Sequence, residues 1–175
     1  MSRECFSQLT AADVNVLMSL LEHYSDTPTA YTVLLRDKLN HASIFFGEDV
    51  PADVVTIDSR LEFSVDGVPM GPHVLVKSSP EDLPNFALSI HSMRGLALLG
   101  LAVGESVEII TDEGGRQTLR IDRILFQPEE QRRSEHVTAN ERHETIDRAP
   151  QVISFRPRQR STGYRLDDDP GPSAA

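Results

Sequence analysis

The residues with most chemical potential in this sequence are two glycines, six histidines and one cysteine. Gly95 and Gly100 are separated by the four residues of a phosphate-binding loop, but Leu101 and Ala102 follow where that loop needs Lys and Ser or Thr. We therefore expect these glycines to allow close packing and to end a helix. Cys5 has no partner cysteine, and metal-ligand spacing is missing among the histidines, at 23, 41, 73, 91, 136 and 143. The sequence predicts neither a metal site nor a cofactor.

The patterns of covalent catalysis are missing as well. No Gly-x-Ser-x-Gly nucleophile motif occurs. The carboxylates of Asp112-Glu113 are expected at a solvated hairpin tip. Arginines 156, 158, 160 and 165 form a basic run, which suits contact with nucleic acid or an acidic surface, although a solvated segment is the favoured interpretation. We therefore predict that the chain is not an enzyme.

The charge is strongly acidic and unevenly distributed. Residues 1–128 carry 18 Asp and Glu against 9 Lys and Arg, so nearly all of the net charge of −10 lies there. Direct duplex binding is disfavoured, because phosphate neutralisation needs clustered cations. The acidic surface suits a basic protein partner, or keeps the chain soluble. With no apolar run near the ~18 residues of a membrane span, and no apolar signal-peptide core in Met1–Gln8, we predict a cytoplasmic protein that does not contact membranes.

The first 48 residues are predicted to form a short antiparallel helical hairpin. A helix is expected over Thr10–Tyr24, with Thr10 as its cap and Asp13 three residues on completing a capping box. Ser25-Asp26-Thr27-Pro28 breaks this helix. A second helix then begins at Thr27 or Pro28 and runs to about Ala42.

From residue 49 to residue 128 the period of the pattern changes to two, which predicts a β-sheet domain. A strand is expected to start at Val54–Ile57, followed by an alternating strand through Leu61, Phe63 and Val65. Pro69–Pro72 is predicted to be a loop, and Gly95–Gly100 a short packed helix. The remaining strands are predicted at His73–Lys77, Phe86–Ile90, Ser106–Ile110 and Gln117–Phe126.

Residues 129–175 differ in composition from the rest of the chain. Only six of these 47 residues are Leu, Ile, Val or Phe, a share too small to build a core. Any helix in Glu129–Arg148 would be solvated, since that stretch lacks an apolar stripe, and Val152–Phe155 could pair transiently. We predict a mostly disordered C-terminal tail.

Three blocks of sequence resemble the C-terminal domain of Rnk-type proteins, the regulators of nucleoside diphosphate kinase, which are relatives of the Gre transcript-cleavage factors. They occur in the family's order over about 80 residues, so the match is more specific than any single block. The blocks are Asp49–Phe63 (DVPADVVTIDSRLEF), Leu88–Glu105 (LSIHSMRGLALLGLAVGE), and Gly114-Gly115 with Leu119–Glu129 (LRIDRILFQPE).

The resemblance implies an α+β fold, in which the hairpin precedes an FKBP-like antiparallel sheet domain with one short helix. It also implies docking on RNA polymerase at the rim of the secondary channel, and through polymerase an indirect association with DNA and RNA. The family's docking loop has an acidic residue, then Ser, then Pro. Its positions fall here on His91, Ser92 and Met93, so two of the three depart from the pattern. With Arg94, these residues form the predicted polymerase-binding site.

The resemblance also bears on transcript cleavage. Gre factors use a long coiled coil to carry two acidic residues to the polymerase active site, where they help to hold magnesium. The hairpin predicted here is about half as long or less, and its tip offers Glu22 and Asp26 rather than an adjacent acidic pair. We therefore expect no stimulation of cleavage.

Two other functions stay open from the sequence. The chain could be an adaptor that regulates nucleoside diphosphate kinase, or another partner, without contacting polymerase. A peptidyl-prolyl isomerase is suggested only by the FKBP-like fold, which is weak support. An aromatic content of 6% without Trp disfavours the aromatic-lined pocket that an isomerase needs.

Overall fold

The computed structural model describes residues 7–24, 28–111 and 114–144. Helix α1 spans Ala11–Tyr24 and begins with the predicted capping box. The backbone N–H of Asp13 donates to the Thr10 hydroxyl at 3.0 Å, and the Thr10 N–H donates to the Asp13 carboxylate at 3.3 Å. The predicted first helix and its cap are therefore confirmed.

Helix α2 spans Ala30–Asn40, so it starts later and ends earlier than predicted. Thr29 is its N-cap, because the Thr29 hydroxyl accepts from the N–H of Thr32 and the Thr32 hydroxyl accepts from the N–H of Thr29. This Thr-x-x-Thr box departs from the usual capping box, which has Glu or Gln at its fourth position. It defines the start of α2 more sharply than Pro28 does.

The two helices form an antiparallel hairpin. The ring of Tyr24 at the end of α1 lies edge-on to that of Tyr31 in the first turn of α2, with centroids 5.5 Å apart. At the opposite end, strand β1 (Gln8–Thr10) precedes α1 and pairs in parallel with strand β2 (Ser43–Phe45) after α2. This two-stranded sheet closes the base of the hairpin.

Five further strands form one mixed sheet. The strands are β3 (Arg60–Val65), β4 (Val68–Val76), β5 (Ala87–Ser89), β6 (Ser106–Ile110) and β7 (Arg116–Phe126). The order across the sheet is β5-β4-β3-β7-β6. The antiparallel prediction holds for every pair of neighbours except β4 and β5, which run parallel.

Two predictions about local structure in this domain are wrong. Val54–Ile57 is not a strand, and its one β-bridge joins Val54 to Ala102. The segment forms a turn instead, because the Thr56 N–H donates to the Ser59 hydroxyl at 3.1 Å. Pro69–Pro72 is part of β4 rather than a loop. Pro72 lies at the register shift in the pairing of β4 with β3. Pro69 pairs with Ser64 of β3, but β5 pairs only with Val74–Val76, so this part of β4 is an edge where proline is tolerated.

The short helix α3 spans Met93–Leu98 and contacts both α2 of the hairpin and strands β6 and β7 of the sheet. Its buried residues Leu96 and Leu98, with Leu99 at its C-cap, belong to one apolar cluster, which also contains Leu17 and Leu35 from the hairpin and many strand residues. The predicted organisation, a hairpin followed by a sheet domain with one short helix, is confirmed. The hairpin and the sheet share a single core.

The structure corrects the prediction of a tail that is disordered from residue 129. Helix α4 spans Pro128–Glu144 and is anchored at its start. The buried Glu129 carboxylate accepts a hydrogen bond from the Thr56 hydroxyl at 2.7 Å, and the Arg133 guanidinium donates to the carbonyl of Val50 at 2.6 Å. Polar side chains anchor this helix, so an apolar stripe was not needed. Residues 145–175, including Val152–Phe155 and the four arginines, lie outside the described residues.

Candidate partner-binding site

The predicted docking residues form the junction between β5 and α3. Ser92 is the N-cap of α3: its hydroxyl accepts from the N–H of Gly95 at 3.1 Å and donates to the carbonyl of Ser89 at 2.7 Å. A Cβ atom on Gly95 would lie 2.0 Å from that same carbonyl oxygen, so only glycine allows α3 to lie this close to β5. The predicted close-packing role of Gly95 is confirmed.

His91 is held at both ring nitrogens. Its Nε2 lies 3.0 Å from the backbone carbonyl of Lys77, and its Nδ1 lies 3.2 Å from the hydroxyl of Tyr24. Because a carbonyl oxygen can only accept, Nε2 carries the proton in this arrangement, and Nδ1 of the neutral ring accepts from Tyr24. A third bond joins the His91 N–H to the Ser89 hydroxyl at 3.0 Å. The ring therefore has one defined orientation while remaining half-exposed.

Arg94 and Met93 are both half-exposed, but Arg94 is held by hydrogen bonds and Met93 by apolar packing. The Arg94 guanidinium donates through Nε and Nη2 to the side-chain oxygen of Gln117, at 3.1 and 3.0 Å. Two of its five N–H groups are thereby engaged and its plane is fixed. Met93 packs against the apolar core. All four residues of the loop are partly buried and structurally engaged.

The end of the hairpin lies directly against this loop. The hydroxyl of Tyr31 donates to the carbonyl of Ile90 at 2.9 Å, one residue from the Tyr24–His91 contact. Burial, and secondarily the neighbouring Tyr24, raise the pKa of Tyr31 above its ordinary value.

Of the two predicted hairpin-tip carboxylates, Glu22 is exposed in the last turn of α1, whereas Asp26 lies outside the described residues. With 14 residues, α1 is ~21 Å long at ~1.5 Å per residue.

Sequence reasoning missed Tyr24, Tyr31, Gln117 and Lys38. The Lys38 ammonium is buried and donates to the Ala97 and Leu99 carbonyls at the end of α3, at 3.2 and 2.5 Å. For Tyr24 and Tyr31, nothing local distinguishes a core tyrosine from one whose hydroxyl bonds a distant loop. The sequence did contain a signal for Lys38, because it follows Tyr31 and Leu35 at helical spacing and so lies on the inner face of α2.

A second group of buried polar side chains lies away from this loop, where α1, α4 and the 56–59 turn meet. It contains Asp13, Thr56, Ser59 and Glu129. Burial raises the pKa of Asp13, hydrogen bonds from Thr10 and Ile57 oppose that rise, and the charge of Glu129 adds to it.

The described parts of the chain contain no group of three or more His, Cys, Asp or Glu arranged to hold a metal ion. None of the helices described there has the length and apolar character to cross a membrane.

The chain has clear relatives among bacterial regulators. It is 30% identical over 124 residues to the regulator of nucleoside diphosphate kinase of Escherichia coli K12, covering 70% of this chain and 89% of that protein. The protein of the same name from Shigella flexneri matches equally well. No family model matches the chain.

The fold also has a solved counterpart. A prokaryotic transcription elongation factor GreA/GreB from Nitrosomonas europaea superposes with a TM-score of 0.53 at 29% identity, covering 69% of this chain and 99% of that one. These relatives are named as regulators or elongation factors rather than as enzymes. Because the alignment spans most of a relative at 30% identity and the fold agrees with a GreA/GreB structure, the chain belongs to the Rnk-type, Gre-like family of regulators.

Proposed function

We propose that this chain binds RNA polymerase at the rim of the secondary channel and regulates transcription from the cytoplasm, without itself being an enzyme. The observation that carries the proposal is the His91–Arg94 loop. By the sequence resemblance it corresponds to the family's docking loop. Hydrogen bonds on both sides hold it in one conformation, and it remains half-exposed. A loop fixed before binding loses little conformational entropy when a partner arrives.

Arg94 is the residue best placed to contact that partner. Gln117 fixes the guanidinium plane through Nε and Nη2 and leaves three N–H groups for an external acceptor. A planar fork of this kind suits a carboxylate, which it can bind through two parallel bonds. His91 adds a ring edge, and Met93 adds an adaptable apolar contact where the family has proline.

The proposal includes the absence of cleavage stimulation. The ~21 Å α1 is short for a coiled coil that must reach an active site, and its exposed last-turn carboxylate, Glu22, lies two residues before Tyr24, which contacts the docking loop. A backtracked elongation complex incubated with the protein should therefore show no magnesium-dependent shortening of the RNA 3′ end. Shortening that is lost in Asp26→Ala would contradict this part of the proposal.

The binding test uses the full chain as bait for purified RNA polymerase, with Arg94→Glu as the variant. We expect Arg94→Glu to weaken capture by at least about tenfold, or ~1.4 kcal/mol, because a carboxylate would face the partner's acceptor. Arg120→Glu is the matched control, since it changes net charge equally on an exposed sheet position. Substitutions at Ser92 or Met93 are unsuitable for this test, because Ser92 caps α3 and Met93 packs against the core.

The outcomes separate the candidate functions. If wild type and Arg120→Glu compete with a Gre factor for polymerase and Arg94→Glu does not, the docking assignment stands. If both variants bind as wild type does, the loop is not the docking surface. If the protein captures nucleoside diphosphate kinase but not polymerase, the adaptor function suggested by the relatives' name would replace the proposed polymerase-binding function.

A further inference from the structure

The hydroxyl groups of two hairpin tyrosines converge on the loop just described. Tyr24 Oη lies 3.2 Å from His91 Nδ1, and Tyr31 Oη donates to the Ile90 carbonyl at 2.9 Å. The rings also contact one another, since Tyr24 lies edge-on to Tyr31 at 5.5 Å and to His91 at 6.2 Å. The first loop residue, His91, and Ile90 just before it are thus held from the same side by the same end of the hairpin.

The hydroxyls are not needed to hold the hairpin itself in place. Leu17 and Leu35 are fully buried in the shared core, and the Lys38 ammonium bonds the end of α3. Within the described part of the chain, the two tyrosine hydroxyls bond only the His91 ring and the Ile90 carbonyl. Removing a hydroxyl therefore loosens the loop while leaving the ring packing in place.

The loop follows a short edge strand and one linking residue. β5 contains only three residues and is the edge strand next to β4, and Ile90 after it donates its N–H to the Val76 carbonyl at 2.9 Å. The Ser89 and Ser92 hydroxyls make local bonds that order the start of α3 but do not orient the His91 ring. Ring orientation depends on Tyr24 on one side and the Lys77 carbonyl on the other.

We propose that Tyr24 and Tyr31 are positioning residues: the hairpin end is a brace that fixes the conformation of the His91–Arg94 loop and thereby increases its affinity for polymerase. The consequence for affinity rests on the proposed function, whereas the brace itself does not. Binding to a loop that is only partly in its competent conformation is weakened by the fraction that is competent. The short hairpin acts on the partner indirectly, through the loop that it orients.

The experiment compares the full-length chain with Tyr24→Phe, Tyr31→Phe and the double variant. Ser19→Ala is the matched control, because the Ser19 hydroxyl lies on α1 and bonds only the Asn15 carbonyl of its own helix. Three quantities are measured: polymerase affinity, the ¹⁵N shifts of the His91 ring, and amide exchange at His91 and Gly95 relative to Leu119 in the core strand. The ring shifts report the His91 tautomer, which a general loss of stability would not change selectively.

We expect Tyr24→Phe to alter the His91 ring shifts, because Nδ1 loses its donor. The double variant should accelerate exchange at His91 and Gly95 while leaving Leu119 unchanged. It should also weaken polymerase binding by about tenfold, equivalent to ~1.4 kcal/mol. Ser19→Ala should match wild type throughout.

Failure of the brace and failure of the proposed function give different results. Unchanged ring shifts and loop exchange in the double variant would overturn the brace, whether or not polymerase binds. Faster loop exchange with undiminished polymerase affinity would overturn the positioning role. If wild type does not bind polymerase at all, the proposed function fails, and the ring shifts and exchange rates alone decide whether the hairpin holds the loop.

Discussion

At the residue scale, the least expected feature is the pair of buried carboxylates, Asp13 and Glu129. Each has a structural task, since Asp13 caps α1 and Glu129 anchors α4 on the Thr56 hydroxyl. Their charges interact unfavourably, and burial penalises the ionised form of Asp13 even more. The junction of α1, α4 and the 56–59 turn therefore contains an electrostatic cost at neutral pH.

This cost gives a pH-dependent prediction for Asp13→Asn. Because the pKa of Asp13 is raised from 3.8, the folded chain holds this proton to higher pH than the unfolded chain. The associated stability is fully present below the unfolded pKa and is lost as pH rises through the folded pKa. The Thr10 and Ile57 N–H groups donate to different oxygens of the Asp13 carboxylate, so Asn keeps an acceptor for only one of them, a loss that does not depend on pH, and Asn has no charge to bury. The free energy of unfolding of the variant, relative to wild type, should therefore rise from pH 4 to pH 7.5.

Urea unfolding at each pH provides the measurement, with Asp53→Asn as the control because Asp53 is exposed. The control should show no comparable trend with pH. A constant difference between Asp13→Asn and wild type across this range would mean that Asp13 does not bear the electrostatic cost.

At the element scale, the features predicted correctly are those determined by neighbouring residues. The start of α1 follows from Thr10 and Asp13, which are three residues apart. By contrast, α4 depends on a contact between Thr56 and Glu129 across 73 residues, and composition alone favoured disorder there. The candidate site divides in the same way: the loop position came from a sequence resemblance, but its bonds to Tyr24 and Tyr31 span 67 and 59 residues. No local pattern encodes contacts of that kind.

Helix α3 provides the prediction for this scale. Gly95→Ala would place a methyl group 2.0 Å from the Ser89 carbonyl oxygen, so α3 would have to move away from β5. We expect a loss of about 3 kcal/mol in the free energy of unfolding. Gly47→Ala is the matched control, because a Cβ there meets nothing within 4 Å. Equal stability of the two variants in urea unfolding would show that α3 is not held as closely as described.

At the scale of the whole molecule, the hairpin and the sheet form one structural unit. The sequence divides at residue 48, but three kinds of contact cross that boundary. The Gln8 N–H donates to the Gly100 carbonyl at 2.8 Å, Lys38 bonds the carbonyls at the end of α3, and the apolar core is continuous. A hairpin that serves as a brace for the docking loop requires such a rigid connection to the sheet.

This continuity predicts a single unfolding transition for the hairpin and the sheet. Leu17 on α1 and Leu119 on β7 are both fully buried in the same cluster. Truncating either to Ala should destabilise the whole unit by about 2–5 kcal/mol. Native-state amide exchange would then show that amides of α1 and of β7 lose protection together in both variants, because contacts on either side of residue 48 support the same core. If Leu17→Ala accelerated exchange only within residues 8–45, while β7 kept its wild-type protection, the hairpin would be an independent folding unit, and its role as a rigid support for the loop would have to be abandoned.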